Sequence, residues 1–195
     1  MEMGYAVKNR RSVRCLKKDD RITKSKIKNL LKISLYSPSA FSMQSSRMAV
    51  LMGERHEKFW QKVQSILLGM VKEEQRAAIK EKIEGFLGGN GTVLFFEDQE
   101  VVKAYQKDIS AYANEFLGWS QHNNAMLQYT VWLTFFDNDI AASIQHYNPL
   151  IDDYVYEELG LPKNYTLIAQ MPFGAANEQP QKRDYLPFDK VVTFF

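Results

Sequence analysis

The sequence predicts an α+β domain, on three observations. Several stretches repeat apolar residues at helical spacing, and a few short runs are rich in β-branched and aromatic residues, with Gly, Pro and Ser clusters between them. The third is size: 195 residues, 45 % of them hydrophobic, can bury one sizeable core. Residues 1–195 are therefore expected to form a single domain, with no repeat or low-complexity linker to divide them.

A short opening helix precedes Arg10. Thr23 is a suitable N-cap for a helix carrying Ile27, Leu30, Leu31 and Leu35, which should end at Ser37-Pro38. Residues 37–46 are polar and turn-prone, and residues 48–52 read as a buried strand. Residues 54–70, with Phe59, Trp60, Val63, Ile66 and Leu67, and residues 73–87, with Ile79, Ile83, Phe86 and Leu87, have the period of two amphipathic helices, His56 lying on the surface of the first.

Gly88-Gly89-Asn90-Gly91 precedes a strand-like run, residues 92–96, so it should be a turn and not a phosphate loop opening a helix. Glu97-Asp98 should turn the chain again. From residue 120 to about 138 runs the most apolar helix, with Ala125, Met126, Tyr129, Trp132, Leu133 and Phe136 on more than one face; that spread predicts burial on several sides, and His122 sits near its start. Residues 140–148 are too mixed to assign. Pro149 suits the first turn of a helix reaching Leu159, with Gly160 as its stop. Residues 165–171 and 191–195 read as strands, and the apolar end Val-Val-Thr-Phe-Phe needs something to pack on, such as a sheet edge of another protomer.

Charge and motifs narrow the function. Twenty-five basic against 23 acidic residues give a formal charge of +2, too balanced for a protein that coats nucleic acid. The lone Cys15 allows no intrachain disulfide and no Cys-rich metal frame, and three scattered histidines show no ligand spacing, so no metal is expected. No window approaches the ~18 uninterrupted apolar residues of a membrane span, and Met1-Glu2-Met3-Gly4-Tyr5 lacks a charged-then-apolar leader pattern. The expectation is a soluble cytoplasmic protein with neither a membrane nor a nucleic-acid partner. Nucleophile elbows, zinc-protease helices, Walker loops and dinucleotide fingerprints do not occur.

Polar segments remain at residues 9–14, 37–46, 143–147 and 181–183. In the first, Arg10, Arg11 and Arg14 surround Ser12. A guanidinium is planar, forked and permanently charged, so such a cluster suits a phosphate, each charge-assisted hydrogen bond contributing roughly 1.5–3 kcal/mol. Taken alone, the same run can also be read as a solvated basic stretch.

The Arg-Arg-Ser-x-Arg box, the helix ending in Tyr-Ser-Pro-Ser-Ala, Gln44 followed by Ser-Ser-Arg and a strand, and the Gln181-Lys182-Arg183 step together resemble the nitroreductase family. Residues 143–152 with Met171-Pro172-Phe173-Gly174 are similar to its small subfamily of fatty-acid-repression and copper-induced nitroreductases. The resemblance runs nearly end to end. It implies a nitroreductase-like α+β fold, a central mostly antiparallel sheet flanked by helices, with a C-terminal strand exchanged in a homodimer that binds FMN at the subunit interface.

Carried over, it implies that Arg10, Arg11 and Ser12 meet the flavin phosphate and ribityl chain and that Arg14 meets the pyrimidine edge, with Lys182 and Arg183 completing the phosphate site. Pro38, Ser39 and Gln44 would come from the partner subunit, and Ile144, Gln145 and His146 would lie against the central ring. The cofactor would carry the hydride chemistry, so no triad is needed, and no catalytic side chain is certain. Larger relatives have a Glu-Gly pair where this chain has His146-Tyr147, and they carry a side-chain amide with no counterpart ahead of Gly88. His146 is thus either a pocket-lining candidate or a packed, hydrogen-bonded histidine. Phe41, Trp119 and Tyr147 could stack on a flat substrate or belong to the core. The implied activity is NADH- or NADPH-dependent reduction of nitroaromatic or quinone-like acceptors. The alternatives are a flavin-binding redox or stress-response regulator with little turnover, and a non-catalytic module that uses the arginine box for another phosphate.

Overall fold

A computed structural model describes residues 2–180 and 182–195; Gln181, named above in the terminal basic step, lies outside the described residues. Its helices are α1 (Met3–Asn9), α2 (Lys24–Ser34), α3 (Glu54–Met70), α4 (Glu73–Leu87), α5 (Gln99–Asp108), α6 (Phe116–Phe136) and α7 (Asp152–Leu159); its strands are β1 (Leu16–Lys17), β2 (Ser46–Met52), β3 (Gly91–Asp98), β4 (Ala141–Ala142) and β5 (Tyr165–Ala176). The sheet order is β1-β5-β3-β2, with β4 also on β5, and these pairings are antiparallel.

Strand β3 is buried along its whole length, and its alternating side chains divide the core in two. Val93 and Phe95 face Leu127, Val131 and Phe135 of α6 and Ile27 and Leu30 of α2. Leu94 and Phe96 join Phe59, Trp60 and Val63 of α3, Ile83 and Phe86 of α4, and Val155 of α7. On β5, Ala169, Met171 and Phe173 belong to the first layer but Leu167 to the second. The break in alternation is a bulge: Phe95 pairs with Ala169 and Phe96 with Leu167, so Ile168 is the extra residue that swaps the faces.

Two helices keep their expected bounds, and Thr23 caps α2 by accepting from Lys26 N at 3.2 Å. Gly160 ends α7 in the left-handed conformation at φ 60°, although α7 begins three residues after Pro149. Other expectations need correction. Glu97 and Asp98 do not turn the chain; they extend β3, because Glu97 is wholly buried and Asp98 caps α5 through Glu100 N. His56 is not on the surface: it lies on the Phe59-Trp60-Val63 face of α3. Helix α6 starts at Phe116, which places His122 within it, and it buries the polar Ser120, Asn123, Asn124 and Gln128 beside the apolar Phe116, Leu127, Val131 and Phe135, while Met126 and Tyr129 are exposed. The terminal strand expected over residues 191–195 is not formed within the chain. Phe188–Lys190 make a single 3-10 turn, and Val191, Phe194 and Phe195 are exposed. Among the described residues no helix is long and apolar enough to cross a membrane.

Candidate functional site

The pairing of β1 with β5 brings the two ends of the sequence together. Leu16 opposes Ala176 and Lys17 opposes Ala175, Asn177 N donates to Cys15 O at 2.9 Å, and one carboxylate oxygen of Glu178 accepts from the backbone N–H groups of Arg14 and Cys15. On the other side Val13 N donates to Ala142 O at 3.1 Å, fixing the basic box against β4. Helix α4 closes on it from below: a Cβ on Gly85 would stand 2.7 Å from Arg14 O, so that approach needs glycine.

The result is an open cleft of about 510 Å³ lined by Arg10, Arg11, Ser12 and Arg14 from one end of the chain and Glu178, Lys182 and Arg183 from the other. Sequence reasoning named these basic residues; it missed Glu178, for which no local motif exists. Arg10 is held differently from its neighbours. Its guanidinium lies 3.8 Å from the centroid of the Trp132 ring and 6.0 Å from that of Tyr129. Its Nε and Nη1 are buried without a hydrogen-bond partner. Burial holds its pKa below the usual arginine value, and the nearby positive charge of Arg183 acts in the same direction.

Pro38, Ser39 and Gln44 line a second cleft of about 190 Å³ with Ser37, Arg47 and Asn123. The loop that carries them is bent tightly: Phe41, Ser42 and Gln44 all have positive φ, 52°, 52° and 47°, a conformation that costs of order 1 kcal/mol or more for a residue other than glycine. Gln44 N donates to Ser39 Oγ at 3.1 Å. Arg47 Nη1 donates to Gln44 O at 2.7 Å while its Nη2 bonds Asp98 at 3.0 Å. From α6, Asn123 Oδ1 accepts from Ala40 N at 2.9 Å, and Asn124 Nδ2 donates to Phe96 O and Glu97 Oε1 at 3.0 and 2.7 Å. A polar pair inside an apolar helix was the available signal for these two residues.

Phe41 is half exposed and packs against Trp119, with ring centroids 5.7 Å apart and 25° between planes, and against Tyr112 at 6.0 Å. Tyr147 does not join them: it is buried in the core and meets Trp60 edge-on at 5.7 Å. The stretch before it is clamped to β5, since Gln145 and Gln170 exchange both backbone hydrogen bonds, at 2.7 and 2.9 Å, and Tyr147 N donates to Gln170 Oε1 at 2.8 Å. Ile144 is half-buried, Gln145 buried with its amide on Ser143 Oγ, and His146 exposed.

The profile of the nitroreductase family matches residues 7–175. Nitroreductase FRM2 of Saccharomyces cerevisiae is 25 % identical over 186 residues, covering 93 % of this chain and 91 % of that protein. Among solved structures, nitroreductase CinD from Lactococcus lactis in complex with chloramphenicol is 30 % identical, matches all of both chains and superposes with a TM-score of 0.90. A nitroreductase with bound FMN from Desulfitobacterium hafniense shares the fold at 18 % identity, with 97 % of this chain and 96 % of that chain covered and a TM-score of 0.71.

Proposed function

The chain belongs to the nitroreductase family of oxidoreductases, and from that premise we propose that it works as an FMN-dependent homodimer, passing hydride from NADH or NADPH to nitroaromatic or quinone-like acceptors. The observation that carries the reading is the arginine cleft. Its donor set combines forked cations, an ammonium group and a hydroxyl, and Nε and Nη1 of Arg10 are buried with no hydrogen-bond partner among the described residues, a condition that an added anionic acceptor would relieve. A flavin phosphate fits that demand.

On this reading Arg10, Arg11, Ser12, Lys182 and Arg183 bind the phosphate and ribityl end, and Arg14 places its charge at the pyrimidine edge. Ile144, Gln145 and His146, clamped to β5, support the ring. His146, whose side chain is exposed, is the candidate side chain of the substrate pocket. Bound FMN supplies the two-electron chemistry. Pro38, Ser39 and Gln44 serve the flavin of the partner subunit, and Phe41 and Trp119 form the stacking surface for flat acceptors. The CinD complexes with chloramphenicol and 4-nitrophenol support that acceptor class by likeness. Tyr147, buried against Trp60, is left out of the substrate surface.

A dimer would also account for exposed apolar surface. Met126 and Tyr129 of α6 and the tail residues Val191, Val192, Phe194 and Phe195 are uncovered in the single chain, and β2 is an edge strand. Exchange of residues 191–195 onto a partner's sheet would cover the tail and the β2 edge, and the subunit contact would cover α6.

The visible spectrum of the purified protein, with flavin counted per subunit, tests cofactor binding. NAD(P)H oxidation with and without a nitroaromatic or quinone then tests turnover. Bound flavin without acceptor-dependent oxidation would favour a regulatory flavoprotein; no flavin absorbance after FMN addition would overturn the reading.

A further inference from the structure

We propose that Asn123 is a flavin-binding residue of the second cleft, its side-chain Nδ2 donating a hydrogen bond to a neutral oxygen of FMN held across the dimer. The inference rests on the FMN reading above and adds a residue and a chemical preference to it.

Asn123 is 4 % exposed. Its amide orientation is fixed, because the Ala40 N–H at 2.9 Å can be accepted only by Oδ1. Nδ2 is therefore the free end, and it is buried with no hydrogen-bond partner among the described residues. A buried amide donor left so loses the hydrogen bond that water gives it in the unfolded chain. Ser37 Oγ, on the same cleft, is also buried and partnerless. Two neighbouring groups in that condition on one cleft point to an acceptor from outside the chain.

The charges of the cleft define that acceptor. Arg47, its cation, is already committed: Nη1 bonds the carbonyls of Gln44 and Ser46, and Nη2 bonds the Asp98 carboxylate. Neutralised in this way, it leaves neutral donors at Asn123 and Ser37. Such a site takes a carbonyl or hydroxyl oxygen in preference to an anion, whereas the arginine cleft takes the phosphate. The two clefts would divide one ligand, its charged end on Arg10 and Arg183 and a neutral oxygen on Asn123 of the partner subunit.

The support around Asn123 is rigid. Its neighbour Asn124 is tied to β3 through Phe96 O and Glu97, and the amide of Gln128 bonds Asn124 Oδ1 at 2.7 Å, so α6 cannot turn to hide Nδ2 elsewhere without breaking that network. The same side chain orders the loop through Ala40. It thus acts as a template as well as a donor.

The test is titration of the flavin-free protein with FMN and, separately, with riboflavin, following quenching of flavin fluorescence, alongside light scattering of the dimer. Asn123→Asp keeps the acceptor for Ala40 N–H and removes the donor. The expected result is a loss of at least tenfold in affinity for both ligands, with the dimer retained. Arg183→Ala, by contrast, should weaken FMN and leave riboflavin unchanged. Wild-type affinity in folded Asn123→Asp would overturn the proposal. So would a weakened dimer with unchanged flavin affinity, which would make Asn123 a contact between subunits and not a flavin ligand. If Asn123→Asp lowers the flavin-free melting temperature, Asn123→Ser repeats the titration without a buried carboxylate, and its wild-type affinity would be equally decisive against. A wild-type protein that binds neither ligand fails the FMN reading itself.

Discussion

The hydroxyl of Thr92, at the start of β3, stands 2.9 Å from Nδ1 of His56 on α3 and accepts the indole proton of Trp60 at 2.8 Å. All three side chains are buried, and the backbone of Phe86 and Leu87 lies close to the His56 imidazole and offsets part of the effect of burial. Burial lowers the imidazole pKa from 6.5 to about 4.

Stability should therefore fall in mild acid. Above pH 6.5 folded and unfolded chains both carry neutral His56. Between 6.5 and about 4 only the unfolded chain takes the proton, so stability from this residue declines across that window by about 3 kcal/mol, at about 1.4 kcal/mol per pH unit, and levels off below it. Urea unfolding of wild type and His56→Gln at pH 7.5 and 4.5 checks this. The difference between the two pH values should be smaller in the variant.

Trp132 supports Arg10 by stacking under its guanidinium at 3.8 Å. Trp132→Leu should weaken FMN binding by roughly two- to thirtyfold, the range that corresponds to a cation–π contribution of about 0.5–2 kcal/mol. An FMN titration measures it, and an unchanged dissociation constant would remove Trp132 from the site.

Arg14 is fixed through its own backbone, by Glu178 on the N–H and Gly85 under the carbonyl. If its charge offsets that of the reduced ring, Arg14→Ala should make the flavin midpoint potential more negative, by about 30 mV for each 1.4 kcal/mol lost from a two-electron couple. Arg14→Lys should recover part of the change. Spectroscopic redox titration gives the value, and identical potentials in all three proteins would refute the electrostatic role.

Removal of residues 186–195 should convert the dimer to a monomer and lower flavin content, because the exposed tail is the proposed partner contact. Size-exclusion chromatography with light scattering reads the first effect and the visible spectrum the second. A truncated protein that stays dimeric would discard strand exchange.

Local patterns made much of this fold legible. The 3.6-residue period placed α3 and α4, and the Thr23 cap placed α2, because those signals act within a few residues. The same period, read one turn earlier, puts His56 on the buried face with Phe59, Trp60 and Val63; polarity obscured it. Helix α5 went unread because Asp98 serves at once as the end of β3 and as a cap, and a carboxylate there looks like a turn. Helix α6 departs from the usual rule in part, burying Asn124 against Glu97 and Gln128 against Asn124 while exposing Met126 and Tyr129. Only the fold reveals that Asn124 meets the Glu97 carboxylate. The arginine box and the Lys182-Arg183 step were legible as pieces, but their meeting depends on β1 pairing with β5 across the length of the chain.

The positive φ angles at Phe41, Ser42 and Gln44 have a consequence for anyone who engineers this protein. Glycine at any of the three would relax the backbone, yet at 41 it deletes the ring that stacks on Trp119 and at 44 the side chain at the cleft. A screen for thermostability and a screen for activity should therefore diverge at positions 41 and 44 and agree at 42, where the hydroxyl has no assigned task.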